Sequence, residues 1–159
     1  MAKGSRNHPV EGTVEGFLED AMSTVEELRD EMSEWRDNIE EGFSHTEKYE
    51  RVSEAADALE VEAPEAPSSA EEVKCNTTID TRRSAGSRTA RLANALNLLY
   101  AARDAAENHK GLLESEQSEE QGGENDDLGD EIGDLETFLG EMDDLISQLE
   151  GVEFPGMFG

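Results

Sequence analysis

Positive charge is scarce in this chain. Thirteen Lys and Arg stand against forty Asp and Glu in 159 residues, giving a formal net charge of -27. Duplex nucleic acid and anionic lipid would both repel such a surface, which argues against direct nucleic-acid binding and against a membrane partner. Cysteine is nearly absent too: Cys75 stands alone, so an internal disulfide and a cysteine-built zinc site are both excluded. Aromatic residues make up 5% of the chain and hydrophobic residues 35%. That is too little apolar surface for a thick core, and it points to helices paired edge to edge. No apolar run reaches membrane-spanning length, and the polar opening MAKGSRNHP has no secretory pattern. The expectation is a soluble protein of the cell interior (a host cytoplasm) or of a virion.

What the chain does have is helical periodicity. Val14, Leu18, Ala21, Val25, Leu28, Met32, Trp35 and Ile39 follow one another at alternating spacings of 4 and 3. This is the seam of a helix that pairs along its length, and Phe17 and Met22 widen the stripe. Gly42 marks its end, and Ser44 with Glu47 forms a capping box for a second helix carrying Tyr49, Val52, Ala56 and Leu59. A connection this short makes the two helices antiparallel neighbours, a helical hairpin over residues 11–60 that follows a flexible tail at 1–10. Residues 61–80 read as a linker, with Pro64 and Pro67 in VEAPEAPSSA and an extended VKCNTTID that has no evident strand to pair with.

Residues 81–113 hold a central helix, the most apolar of the chain, with Leu92, Leu96, Leu99, Ala102 and Ala106 on one face. Lys110 and Gly111 signal its end. An acidic run without apolar residues, 114–126, reads as a disordered link. The seam then returns over 127–150 at Leu128, Ile132, Leu135, Leu139, Met142, Ile146 and Leu149, with Asp126 or Asp127 as cap. Gly129, Gly133 and Gly140 each cost roughly 1 kcal/mol relative to alanine, so this helix needs a partner. The two seams can pair with each other or with those of a second copy. The chain closes on an apolar tail, 151–159, containing Phe154 and Phe158. The fold class expected is all-α: a hairpin, a central apolar helix and an acidic C-terminal helix, completed where needed by self-association.

No catalytic, cofactor-binding or metal-binding pattern stands out. His8, His45 and His109 are scattered, and the chain has neither a phosphate-cradling glycine loop nor a nucleophile elbow. In DDLGDEIGDLE, Leu128 and Ile132 occupy positions where a calcium loop needs oxygen ligands, and the 4-3 seam explains the same residues. Carboxylate pairs are frequent at this composition by chance. The reading is therefore a non-enzymatic protein with no cofactor.

Its candidate contact residues are of three kinds. Trp35 is either an aromatic anchor for a partner or a core residue of the hairpin. Asp130, Asp134, Glu141 and Asp144 form carboxylate rows on the last helix, and Phe154 and Phe158 make either a docking tail or a segment that packs back. The arginine island TRRSAGSRTARL, with Arg82, Arg83, Arg88 and Arg91, is either a local contact site or the fold's internal counter-charge. Arginine at a helix N-terminus opposes the helix dipole, so an acidic group should lie close to it.

Residues 25–60, VEELRDEMSEWRDNIEEGFSHTEKYERVSEAADALE, resemble a hairpin segment of small uncharacterised acidic proteins encoded by tailed bacteriophages. The resemblance implies a viral or mobile-element origin and transfers no catalytic residue. Taken with the composition, it leads to an acidic interaction module that offers carboxylate rows to a basic protein surface, as a mimic of nucleic-acid charge or an inhibitor. The alternative is a helical scaffold or virion-associated component that oligomerises through its seams. The acidity of a protein adapted to a high-salt cytoplasm is a third source of the same composition.

Overall fold

The first seam folds as the spacing predicts. In the computed structural model, which describes residues 7–43, 46–80, 86–119 and 126–155, helix α1 runs from Val14 to Phe43. Val14, Leu18, Ala21, Val25, Leu28 and Met32 are all buried, while Trp35 and Ile39 are half-buried against the same core. Thr13 caps the helix, its Oγ1 accepting the Gly16 N–H at 3.0 Å. The Val73 and Glu71 carbonyls accept the next free amides, from Val14 and Glu15. A partner segment far along the chain thus finishes the N-terminus of α1.

Helix α2 spans Glu47–Ala58 and packs on α1. Its cap is Thr46, which accepts the Tyr49 amide; the expected cap, Ser44, lies outside the described residues. Helix α3, Arg88–Glu119, starts at a Ser87 cap and packs on both α1 and α4, the latter spanning Asp126–Glu150. α3 therefore runs two turns beyond its expected end at Gly111. The reason is tertiary: Leu113 is buried, and Lys110 reaches Glu136 on α4 at 3.4 Å, so packing overrides the local stop signal. Of the supposed disordered link, residues 114–119 are helical, Asp126 opens α4, and 120–125 lie outside the described residues, as do the side chains of Asp126 and Asp127.

The all-α expectation needs one correction, since the protein is mostly helical but also carries a two-stranded sheet. Strand β1, Asn7–Thr13, pairs antiparallel with β2, Lys74–Asp80, in the register Val10↔Thr77 and Gly12↔Cys75. Residues 7–10, read as part of a tail, are strand, and VKCNTTID does have a partner. Alternation had marked β2, but its mate lies more than sixty residues away, beyond the reach of local pattern. Gly12 sits where β1 turns into α1, and a Cβ there would lie 2.8 Å from Cε1 of Phe17. Only glycine lets the Phe17 ring close over that turn.

The other edge of β2 faces α3. The Asn94 side-chain amide pairs with both backbone groups of Asp80, accepting its N–H at 2.8 Å and donating to its carbonyl at 2.9 Å. Asn97 donates to the Thr78 carbonyl at 3.2 Å. Two side chains of a helix thus stand in for a third strand. Since Thr78 and Asp80 turn these groups away from β1, Pro9, opposite Thr78, falls on the outer edge of the sheet, where its missing N–H costs no ladder bond.

One hydrophobic cluster joins all the helices, and among the described residues no polar or charged side chain is buried in it. The second seam, Leu128 to Leu149, is buried along its length. Both seams turn their apolar residues into this shared core, and α3 is the helix that packs on both α1 and α4.

Candidate interaction surface

Most described basic side chains sit where helices meet. Glu31 of α1 receives three hydrogen bonds from α3: Arg88 Nε at 3.1 Å, Arg91 Nη1 at 2.6 Å and Arg91 Nη2 at 2.8 Å. The fork of Arg91 grips both carboxylate oxygens, the geometry in which arginine binds a carboxylate most firmly. These hydrogen bonds, with the arginine charges behind them, hold the Glu31 carboxyl below its ordinary value against the opposing pull of partial burial. The same contact raises Arg91. Arg36 of α1 reaches Asp57 of α2 at 3.4 Å, and Arg103 of α3 reaches Asp143 of α4 at 2.9 Å. With Lys110–Glu136, every major helix–helix contact carries at least one cross-helix ion pair.

Two of the four island arginines, Arg88 and Arg91, are thus brought onto one acid; Arg82 and Arg83 lie outside the described residues. Trp35 belongs to the same junction. It packs half-buried against the core, with the Arg88 guanidinium 5.0 Å and the Lys48 ammonium 5.7 Å from its ring centroid. This geometry gives the ring a structural neighbourhood of cations from α2 and α3.

The opposite regime holds on another face. Residues 60–71, neither helix nor strand through most of their length, lie between the N-terminal half of α1 and the body of α4. Three depressions of about 420, 420 and 810 Å³ line this crossing, and Ala63 and Pro64 belong to all of them. α1 contributes Glu15, Glu19 and Glu26; the crossing segment contributes Glu60, Glu62, Glu65 and Glu71; α4 contributes Asp134, Glu141 and Asp144. Among the described residues, no Lys or Arg lines any of the three. The sequence explains why, since residues 7–28, 52–73 and 111–159 contain no Lys or Arg at all. The fold gathers parts of all three basic-free stretches onto one surface.

Of the acids expected on the last helix, Asp134, Glu141 and Asp144 line this surface; Asp130 is exposed elsewhere on α4. The acids of α1 and of the crossing segment were missed. Their signal was available in the gaps between basic residues, but the crossing segment read as a solvated linker. Phe154 packs half-buried against the core, and Phe158 lies outside the described residues.

Cys75 is buried under the sheet, and burial pushes its thiol up to about 11, away from the reactive thiolate. Among the described residues no three His, Cys, Asp or Glu side chains gather as a metal-binding group. No helix among them is long and apolar enough to cross a membrane. What the acidic face can do chemically is attract and hold cationic groups. No protein-family model, no curated protein and no solved structure matches this chain.

Proposed function

We propose that this protein is a non-enzymatic acidic interaction module, of phage or mobile-element origin, which presents its carboxylate face to a basic surface on another protein. One observation carries the reading: ten carboxylates from three separated stretches converge on adjoining depressions without a single Lys or Arg among the described residues. Folding itself gains nothing from gathering like charge, so a face held this way is suited to an outside partner. The scaffold under it is a helical hairpin, a central apolar helix and an acidic C-terminal helix. Imitation of nucleic-acid charge is the sharpest form of the proposal, because fixed rows of anions select basic clefts. The scaffold alternative is disfavoured, since both seams through which copies would pair face inward in one molecule.

The test is capture of partners from host lysate at low and at high salt, with identification of what binds. A basic protein retained at low salt by the native chain, and lost by the triple variant Asp134→Lys, Glu141→Lys, Asp144→Lys, is the expected result. Equal capture by a still-folded triple variant would overturn the reading.

A further inference from the structure

The acidic face is more than a charged surface, because apolar side chains among residues 61–66 are exposed or half-buried between its acids. Along α4 two of the depressions join into one groove, from Asp134 to Gln148, which at 1.5 Å per residue is about 21 Å long. Phe138 and Leu145 form its base on α4, and Pro64 is buried on the facing wall. Val61 and Ala66 stand half-buried beside it, and Ala63 is exposed at its centre. Acids stand along both walls, Glu141 and Asp144 on one side and Glu62 and Glu65 on the other.

A flat basic cleft, of the kind that binds nucleic acid, would meet the rims and leave this floor unused. A basic amphipathic helix meets both: its apolar stripe covers Val61, Ala63 and Ala66 while its lysines and arginines reach the walls. The groove length matches roughly 14 helical residues. Resting on the function proposed above, we infer that the groove between α4 and residues 60–71 is a docking site for a short basic amphipathic helix of a partner protein. Charge complementarity selects the polar side of that helix, since none of the described basic residues lines the groove. The apolar floor selects its other side and makes the contact outlast screening by salt.

Two synthetic peptides of about 15 residues, long enough to fill the groove, provide the test. One is a Leu–Lys sequence patterned as an amphipathic helix; the other carries the same lysines with serine in place of every leucine. Binding to the full chain is read by fluorescence anisotropy at low and at about 0.5 M NaCl, where the Debye length falls to roughly 4 Å. The amphipathic peptide is expected to bind about tenfold more tightly and to persist at the higher salt, a difference of about 1.4 kcal/mol. Ala63→Asp, at an exposed position, adds an acid while interrupting the floor. It is expected to weaken the Leu–Lys peptide several-fold, whereas attraction by charge alone would strengthen it. Equal affinity for the two peptides, both lost at 0.5 M NaCl, would overturn the groove and leave the acidic module standing. Failure of both to bind at low salt would overturn the two proposals together.

Discussion

Glu31 and Glu141 are both surface carboxylates on long helices, yet the fold treats them in opposite ways. Glu31 is held by two arginines from another helix, and its charge is part of how α1 and α3 meet. Glu141 stands beside further acids in a groove that no described basic residue lines. The difference shows how a chain this acidic folds at all. Most of its described basic residues sit at the contacts between helices, while ten acids line a face with no described base.

Reversing the junction tests that contrast most severely. Arg88→Glu with Arg91→Glu would place three carboxylates where one is now neutralised, at a loss of about 2–3 kcal/mol for a junction that solvent still reaches. That is a large share of an ordinary domain's stability. Urea unfolding should show the midpoint collapse, and adding Glu31→Arg should restore part of it. A double variant with an unchanged midpoint would show that the junction is not the fold's counter-charge.

Screening comes next. Raising NaCl from 0.05 to 1 M should stabilise the native chain by about 1–2 kcal/mol, or roughly 2–8 °C in Tm, because repulsion across the acidic face is relieved. A Tm that falls over this range would mean that the cross-helix pairs outweigh the face.

Acid acts on the Glu31 junction with a definite sign. The folded-state value of Glu31 is lowered from 4.5, so its contribution is complete above 4.5 and is lost as pH falls through the lowered folded value. Glu31→Gln should therefore cost about 1–2 kcal/mol at pH 7, and its difference from the native chain should shrink below pH 4.5. A penalty that stays constant down to pH 2.5 (a scan limit about two units below the ordinary carboxylate value) would contradict the assignment.

The smallest effect has the opposite direction. Glu141→Gln or Asp144→Asn in the groove should each stabilise the fold by about 0.2–0.5 kcal/mol, since each removes like charge and breaks no ion pair. Destabilisation by either, read in the same urea titration, would mean that the groove acids support the fold.

The helices were legible because their apolar residues repeat locally. The seam from Val14 fixed the start of α1, and that from Leu128 fixed the course of α4. The sheet was not legible, since β1 and β2 each need the other and α3 as well, and no local window holds all three. Gly111 and the acids after it read as a helix end because the stabilising contact, Leu113 packing toward the core, depends on a helix that comes later. The groove escaped notice for a similar reason: VEAPEAPSSA carries the composition of a solvated linker, and only the fold lays it between two acidic helices.

The paired amides of Asn94 and Asn97 bear on the order in which the molecule is put together. A ribbon of two strands is barely stable in water, and these two would have to close a loop of more than sixty residues to meet. With one edge docked on α3, they close that loop against a surface already in place. The ribbon therefore belongs among the last parts to assemble and the first to open, and its amides should exchange with solvent ahead of those in α3. Because β1 leads straight into α1, each such opening also loosens the Gly12 turn over Phe17, tying the opening of β1 to the edge of the core.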